Sequence, residues 1–162
     1  MVQRVSVRQM STVLGLVAVA VAVAGIWTAR SHQAFELRRL ESVYPRTGAE
    51  ADRRLPRNAL VVTSRYSGSV RYYAGRETLV WDALDPASLD RAVAFGRAQG
   101  LEPFFMLDSG EEEPFRLRFA GSDLARLDWP PRIEIAPQVR IYEPAARERY
   151  RRGESIVTEY VR

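Results

Sequence analysis

The sequence predicts an α/β protein: one N-terminal transmembrane helix, then a small Rossmann-like α/β sandwich with a short, mainly parallel sheet. Three observations carry this. Met10 to Ala29 is a stretch of 20 residues without a charge. Behind it, compact apolar runs alternate with segments of helical spacing, as strand–helix–strand–helix–strand. Asp, Ser, Gly and Pro punctuate those runs where helices and turns begin and end.

The uncharged stretch MSTVLGLVAVAVAVAGIWTA comes first. At about 1.5 Å rise per residue it matches a hydrocarbon core of about 30 Å. In lipid a helix satisfies its own backbone hydrogen bonds, whereas an open Val/Ala strand cannot. Arg4 and Arg8 flank one end, Arg30, Arg38 and Arg39 the other, and Trp27 sits at an interfacial position. A secretory signal cut near Ala22-Val23-Ala24 is the competing reading. The apolar run continues through Gly25, Ile26 and Trp27, which favours an uncleaved anchor. Arginines on both sides leave the orientation undecided. Gly15, Ala18, Ala22 and Gly25 would permit close packing against other helices.

The chain organises as a basic segment over 1–9, the membrane helix over 10–29, a juxtamembrane helical connector over 30–54, a soluble α/β domain over 55–145 and a basic tail over 146–162. In the connector, Ala34, Leu37, Leu40 and Val43 extend the helix until Tyr44-Pro45 breaks it. Thr47 with Glu50 forms a capping box for a short helix ending before Pro56. Ala59–Thr63 is a buried strand. Ser67 to Ala74 is a short helix closed by Gly75. Glu77–Trp81 is a second strand. Asp85 caps the next helix with Pro86 at its first position; Leu89, Ala92, Val93 and Gly96 form its inner stripe, and Gly100 ends it. Glu102–Leu107 is a third strand, and Pro114 to Ala120 a helical turn or short helix. Ile133–Ile135 and Val139–Tyr142 are closing strands around Pro137, giving an antiparallel edge hairpin. Arg147 to Arg152 is a short basic helix, followed by a mobile tail.

Composition narrows the function. All 24 basic residues are arginine against 20 acids, for a net charge of +4. Two of these arginines precede the anchor, so 22 face the 20 acids from Arg30 onward. The signs interleave, as in Arg65, Arg71, Arg76, Glu77, Asp82 and Asp85. That is a solvated surface, not a nucleic-acid footprint. With no cysteine, disulfides, thiolate nucleophiles and thiolate metal sites are excluded.

No motif amounts to a catalytic centre. His32 is the only histidine and lies beside the anchor, so a two-histidine metal site is impossible. Ser67-Gly68-Ser69 occupies a strand-to-helix turn, where anions bind at free N–H groups. It lacks the three spaced glycines of a dinucleotide fingerprint, and without lysine there is no Walker motif. A ligand would sit there, at the strand ends, against Ser64, Arg65, Ser67 and Gly68. Asp108, Glu111, Glu112 and Glu113 lack the alternating spacing of a calcium loop and read as a solvated acidic run. No metal or cofactor is expected. Tyr72, Tyr73 and Trp81 are expected in the core or an interface, and Trp129-Pro130-Pro131 as a rigid packed turn.

An ordered set of stretches carries a family resemblance. It runs through Leu55-Pro56-x-Asn58-Ala59, Ser67-Gly68-Ser69-x-Arg71-Tyr72-Tyr73-Ala74-Gly75-Arg76 and Trp81-Asp82-x-Leu84-Asp85-Pro86. Asp90-Arg91-Ala92-Val93, Phe115-x-x-Arg118-Phe119, Leu127-Asp128-Trp129-Pro130-Pro131 and Val139-Arg140-Ile141-Tyr142 continue it. Over residues 10–145 the chain resembles the last membrane helix and C-terminal extracytoplasmic domain of bacterial multi-pass glycosyltransferases. The type is that of the protein-mannosyltransferases and aminoarabinose transferases. In that family a polyprenyl-phosphate sugar is the donor, and an acidic residue in an early extracytoplasmic loop does the chemistry. This sequence has no such loop, so no catalytic residue carries over.

The resemblance implies a single-pass inner-membrane protein with a periplasmic domain that has no catalysis of its own. It would be an accessory domain or a split-off piece, partnered by the lipid bilayer and a multi-pass glycosyltransferase. The alternative is a single-pass binding module for another envelope protein, unrelated to sugar transfer.

Overall fold

A computed structural model describes residues 7–31 and 42–161. Residues 32–41 of the expected connector, with His32, Arg38 and Arg39, lie outside the described residues, as does Arg4. The chain divides into two units, Met1–Ser42 and Val43–Arg162.

In the first unit, α1 runs Val7–Ser31. Its stretch Thr12–Ser31 has a mean hydropathy of 2.2, long and apolar enough to cross a membrane.

The second unit is an α/β domain. In chain order it contains α2 (Val43–Arg54), β1 (Ala59–Val62) and α3 (Ser67–Ser69), which continues as a π-helical turn over Val70–Ala74. Next come β2 (Glu77–Leu79), a 3₁₀ turn at Trp81–Ala83, α4 (Leu89–Ala98) and β3 (Glu102–Asp108). Then follow α5 (Glu112–Arg118), a 3₁₀ turn at Asp123–Arg126, β4 (Ile133–Ile135), β5 (Val139–Tyr142), α6 (Pro144–Arg151) and β6 (Glu159–Val161). The six strands form one sheet in the order β2-β1-β3-β5-β4-β6.

The sheet is mixed rather than mainly parallel. β1 pairs parallel with β2 and β3, as helical crossovers require. The β4–β5 hairpin, turning at Ala136-Pro137, enters antiparallel, with β5 beside β3. That hairpin is not an edge, because β6 pairs parallel with β4. The expected mobile tail therefore ends in a strand. Val161 is buried, Thr158 Oγ1 donates to Pro131 O at 2.7 Å, and Arg54 Nε donates to Glu159 Oε1 at 2.9 Å. Three residues without apolar alternation carry no strand signal; the partner strand supplies it.

Helical segments cover both faces. On one side Ala51 of α2 and Leu55 just after it, with Tyr66, Val70 and Ala74, pack on Val61, Phe104, Met106, Ile133 and Ile141. On the other, Leu89 and Val93 of α4, Phe115 of α5 and Ala146 of α6 pack with Trp81, Phe105, Leu107 and Trp129. Alternation along β1 and β3 sends Val61 and Phe104 one way and Val62 and Phe105 the other.

α5 and α6 start two and three residues ahead of the expected Pro114 and Arg147, and two further helix starts change the role of a residue. α2 begins at Val43 and runs through Tyr44-Pro45, so Thr47 is a buried interior residue and not a cap. Proline within the first turn removes an N–H that has no intrahelical acceptor anyway. Asp85 does not cap α4, which starts four residues later behind Ser88. Its Oδ1 instead accepts from the Ala87 N–H at 2.9 Å, closing a turn ahead of the helix. Trp81, expected at the end of the second strand, is a buried residue opening the first 3₁₀ turn. The endings follow the sequence: Gly75 and Gly100 take φ of 59° and 76°.

α2 and the π turn approach closely at Gly48. A Cβ there would stand 2.7 Å from Ser69 O and 2.8 Å from Tyr73 Cβ. Backbone and a Cβ cannot swing aside, so this position requires glycine.

Candidate functional site

The C-terminal ends of β1 and β3 lie side by side, since the strands pair parallel from Ala59↔Glu102 to Val62↔Phe105. Beyond them the chain places Ser64-Arg65-Tyr66-Ser67 against Asp108-Ser109-Gly110-Glu111.

Asp108 is the centre of this cluster and is 1% exposed. Its Oδ1 accepts from the N–H groups of Gly110 at 2.8 Å and Glu111 at 3.0 Å. Its Oδ2 receives Arg65 Nη1 at 2.9 Å and, more weakly, the Tyr66 hydroxyl at 3.5 Å. Glu111, also buried, accepts from the Arg65 N–H through Oε1 at 3.1 Å and from the Asp108 N–H through Oε2 at 3.2 Å. Burying these groups costs free energy that the hydrogen bonds offset. The result bridges the two strand ends through side chains, past the last backbone pairing.

The electrostatics follow from burial. Desolvation pushes the Glu111 carboxyl above its usual 4.5, and the two backbone N–H donors oppose it only in part. Burial, and then the nearby Asp108 carboxylate, push the Tyr66 phenol up, so it remains a neutral donor. Because Glu111 binds its proton more tightly folded than unfolded, its ionisation opposes folding. Its contribution to stability declines as pH rises from about 4.5 through the raised folded value. We expect Glu111→Gln to flatten the fall in melting temperature across that window. Thermal unfolding at stepped pH measures this; an unchanged slope would show that Glu111 titrates normally.

The expected ligand residues are all in this neighbourhood, each with an internal partner or an open position. Ser64 Oγ donates to Asp82 Oδ2 at 2.7 Å, and Ser67 Oγ to Ser64 O at 2.9 Å. Arg65 reaches Asp108 while its side chain stays half-exposed. Gly68 is exposed, with open space where a Cβ would be. Sequence reasoning missed Asp82, Asp108 and Glu111 as their partners, and Tyr66 as a further donor to Asp108. The available signal was an acid closing the long apolar strand β3, a place where a buried charge must find a counterpart.

The acidic run is divided among separate tasks. Glu112 turns toward β5, where it accepts from Tyr142 Oη at 2.9 Å and Arg140 Nη1 at 3.0 Å. Glu113 is exposed and lies 3.9 Å from Arg116. Among the described residues no three metal-ligating side chains converge. Two further arginines are buried in bonds. Arg147 grips Asp128 with Nε at 2.8 Å and Nη2 at 3.2 Å, its guanidinium 5.8 Å from the Trp129 ring. That hydrogen-bonded pairing holds Asp128 below its usual 3.8. Arg76 spans four backbone carbonyls of α2, the following turn and the π turn.

Beyond Tyr142, at the other end of β5 from its pairing with Asp108, an open pocket of about 400 Å³ is lined by Arg132, Glu143, Arg149, Ser155, Ile156 and Val157. Glu143 accepts from both arginines, at 3.1 and 3.4 Å.

Chemically, the strand-end cluster is a brace with one solvent-facing cation, Arg65, whose charge Asp108 already balances. No family model matches this chain, and no curated protein or solved structure matches it either.

Proposed function

We propose that this chain is a membrane-anchored accessory domain on the extracytoplasmic side of a bacterial inner membrane. It works beside a multi-pass glycosyltransferase that uses a polyprenyl-phosphate sugar. The observation that carries the reading is the state of the strand ends. The polar side chains expected to meet a ligand, Ser64, Arg65 and Ser67, are engaged with Asp82, Asp108 and the backbone. A domain built this way is suited to shape and positioning rather than bond chemistry. The apolar α1, its small residues Gly15, Ala18, Ala22 and Gly25, and the ordered motifs from Leu55 to Tyr142 support the remainder. The parallel β2-β1-β3 segment, with helical segments in its crossovers, supports a Rossmann-like origin for half the sheet.

The test uses the full chain in its own membrane. A photo-crosslinking residue at Ala18 or Ala22 should capture a multi-span membrane protein, and deleting the chain should lower transfer of lipid-linked sugar. A cysteine at exposed Tyr150 should react with a membrane-impermeant thiol reagent from the outside. Reaction from the cytoplasmic side only, or sugar transfer unaffected by the deletion, overturns the reading.

A further inference from the structure

The pocket beyond Tyr142 holds a surplus of one positive charge. Arg132, just ahead of β4, and Arg149, on α6, both donate to the single carboxylate of Glu143. Neither arginine meets a second acid among the described residues. Elsewhere in the domain arginines are matched more fully: Arg147 meets Asp128 and Asp123, and Arg140 meets Glu112 and Glu134. On the loop that follows α6, Arg152 and Glu154 pair with each other at 3.0 Å and leave the surplus unchanged.

The two guanidiniums are held in place yet open to solvent. Glu143 is 9% exposed, a fixed point between them. The Arg132 guanidinium also lies 5.8 Å from the centre of the Phe104 ring. Both arginine side chains stay half-exposed. A guanidinium carries five N–H donors, and Glu143 accepts one from each. That leaves further donors on both for a ligand.

The loop over residues 152–158 completes the lining and is bonded at both ends. The Gly153 N–H donates to Tyr150 O at 2.9 Å and the Glu154 N–H to Arg149 O at 3.0 Å. At the far end Thr158 Oγ1 donates to Pro131 O at 2.7 Å, and the Glu159 N–H to Arg132 O at 2.9 Å. Between these ties the loop brings Ser155, Ile156 and Val157 to the pocket. Ile156 packs on the core, whereas Val157 is exposed.

One unbalanced positive charge calls for one negative charge. A doubly charged phosphate would leave net negative charge beside Glu143, where like charges repel. A carboxylate carries one charge at neutral pH, and its planar pair of oxygens fits a guanidinium fork. An apolar chain on that carboxylate would lie against Ile156 and Val157. At about 400 Å³ the pocket has the size of a small-molecule site.

We propose that this pocket binds the carboxylate of a small organic acid with a short apolar chain. Arg132 and Arg149 bind the carboxylate, Glu143 positions both guanidiniums and limits the ligand to one charge, and Ile156 and Val157 contact the chain.

The test follows the Nε–Hε signals of Arg132 and Arg149 by NMR, on the full isotope-labelled chain in neutral-detergent micelles. Arg132→Gln and Arg149→Gln assign the signals. Acetate, butyrate and inorganic phosphate are titrated at low ionic strength, with sodium chloride as the control. Both signals should shift with butyrate, which should bind about fivefold more tightly than acetate. Phosphate should bind at least about fivefold more weakly than butyrate. Arg149 is exposed, so Arg149→Gln should keep the fold and weaken butyrate binding about tenfold, read at the Arg132 signal. Glu143→Gln keeps an acceptor oxygen and removes the negative charge, so phosphate should then bind more tightly than butyrate. Signals unmoved at about 50 mM butyrate overturn the proposal. So do equal shifts with chloride or phosphate in the unaltered protein, and butyrate binding that survives Arg149→Gln.

Discussion

Arg76→Met is expected to destabilise the folded unit by about 4 kcal/mol, a large part of the stability of a typical domain. Arg76 is 8% exposed and stands at the entry to β2. Its Nε donates to Pro56 O at 2.9 Å, its Nη2 to Asp52 O and Leu55 O at 3.0 Å each, and its Nη1 to Ala74 O. Helix C-termini leave carbonyls without intrahelical donors. Here one guanidinium serves the end of α2, the turn after it and the end of the π turn. Methionine fills similar space and donates nothing, so all four carbonyls lose this donor. Arg76→Lys tests the geometry separately. It keeps the charge, but a point ammonium cannot replace the planar fork, and it should recover only part of the loss. Denaturant titration of the full chain in detergent, followed by tryptophan fluorescence, measures both. A loss below about 1 kcal/mol for the methionine variant would mean that water replaces the guanidinium readily.

Phe115→Ala should cost about 4 kcal/mol by the separate route of cavity formation. Phe115 is fully buried on the face of the sheet away from α2. Its ring meets Trp81 at 5.6 Å, Phe105 at 5.3 Å and Phe119 at 5.1 Å, so it joins α5 to β3 and to the first 3₁₀ turn. Alanine removes buried area and the edge-to-face contacts together. Phe115→Leu refills most of the volume and should cost about 1–2 kcal/mol. Near-ultraviolet circular dichroism should lose part of its Trp81 signal in the alanine variant. Equal losses for leucine and alanine would point to ring contacts rather than volume as the source. The two sites lie on opposite faces of the sheet, so their effects should add closely in the double variant.

The fold was legible where information is local. A run without charge identifies α1, because length and composition alone mark a helix able to cross a membrane. Ala59–Val62, Glu102–Leu107, Ile133–Ile135 and Val139–Tyr142 announce themselves by compact apolar composition. Gly75 and Gly100 announce helix ends through the conformation only they adopt cheaply. Local signals misled where two local readings compete. Tyr44-Pro45 suits a break or a first turn, and Asp85-Pro86 suits a cap or a turn ahead of one. In both cases the choice rests with packing. α2 begins early because Val43 packs on the core and Thr47 and Gly48, in its first turns, are buried. α4 begins late because Leu89 and Val93, not Pro86, face the core.

The candidate site was legible only in its address. A strand-to-helix turn after a parallel strand is a general site for ligands, which located Ser64, Arg65, Ser67 and Gly68. What Arg65 does depends on Asp108 and Glu111, more than 40 positions away in sequence. No periodicity encodes that meeting, which exists because β1 and β3 pair in parallel and end together.

The sequence by itself therefore determined the helix long and apolar enough to cross a membrane, the α/β class, most of the strands and the absence of thiol chemistry. Each follows from composition or from spacing within a few residues. The tertiary structure decided the mixed order of the sheet and the sixth strand. It also paired Arg65 with Asp108, Arg147 with Asp128 and Arg76 with its carbonyls. A strand edge or a buried charge is satisfied by whatever the fold brings beside it, and that neighbour is fixed by topology rather than by the local sequence.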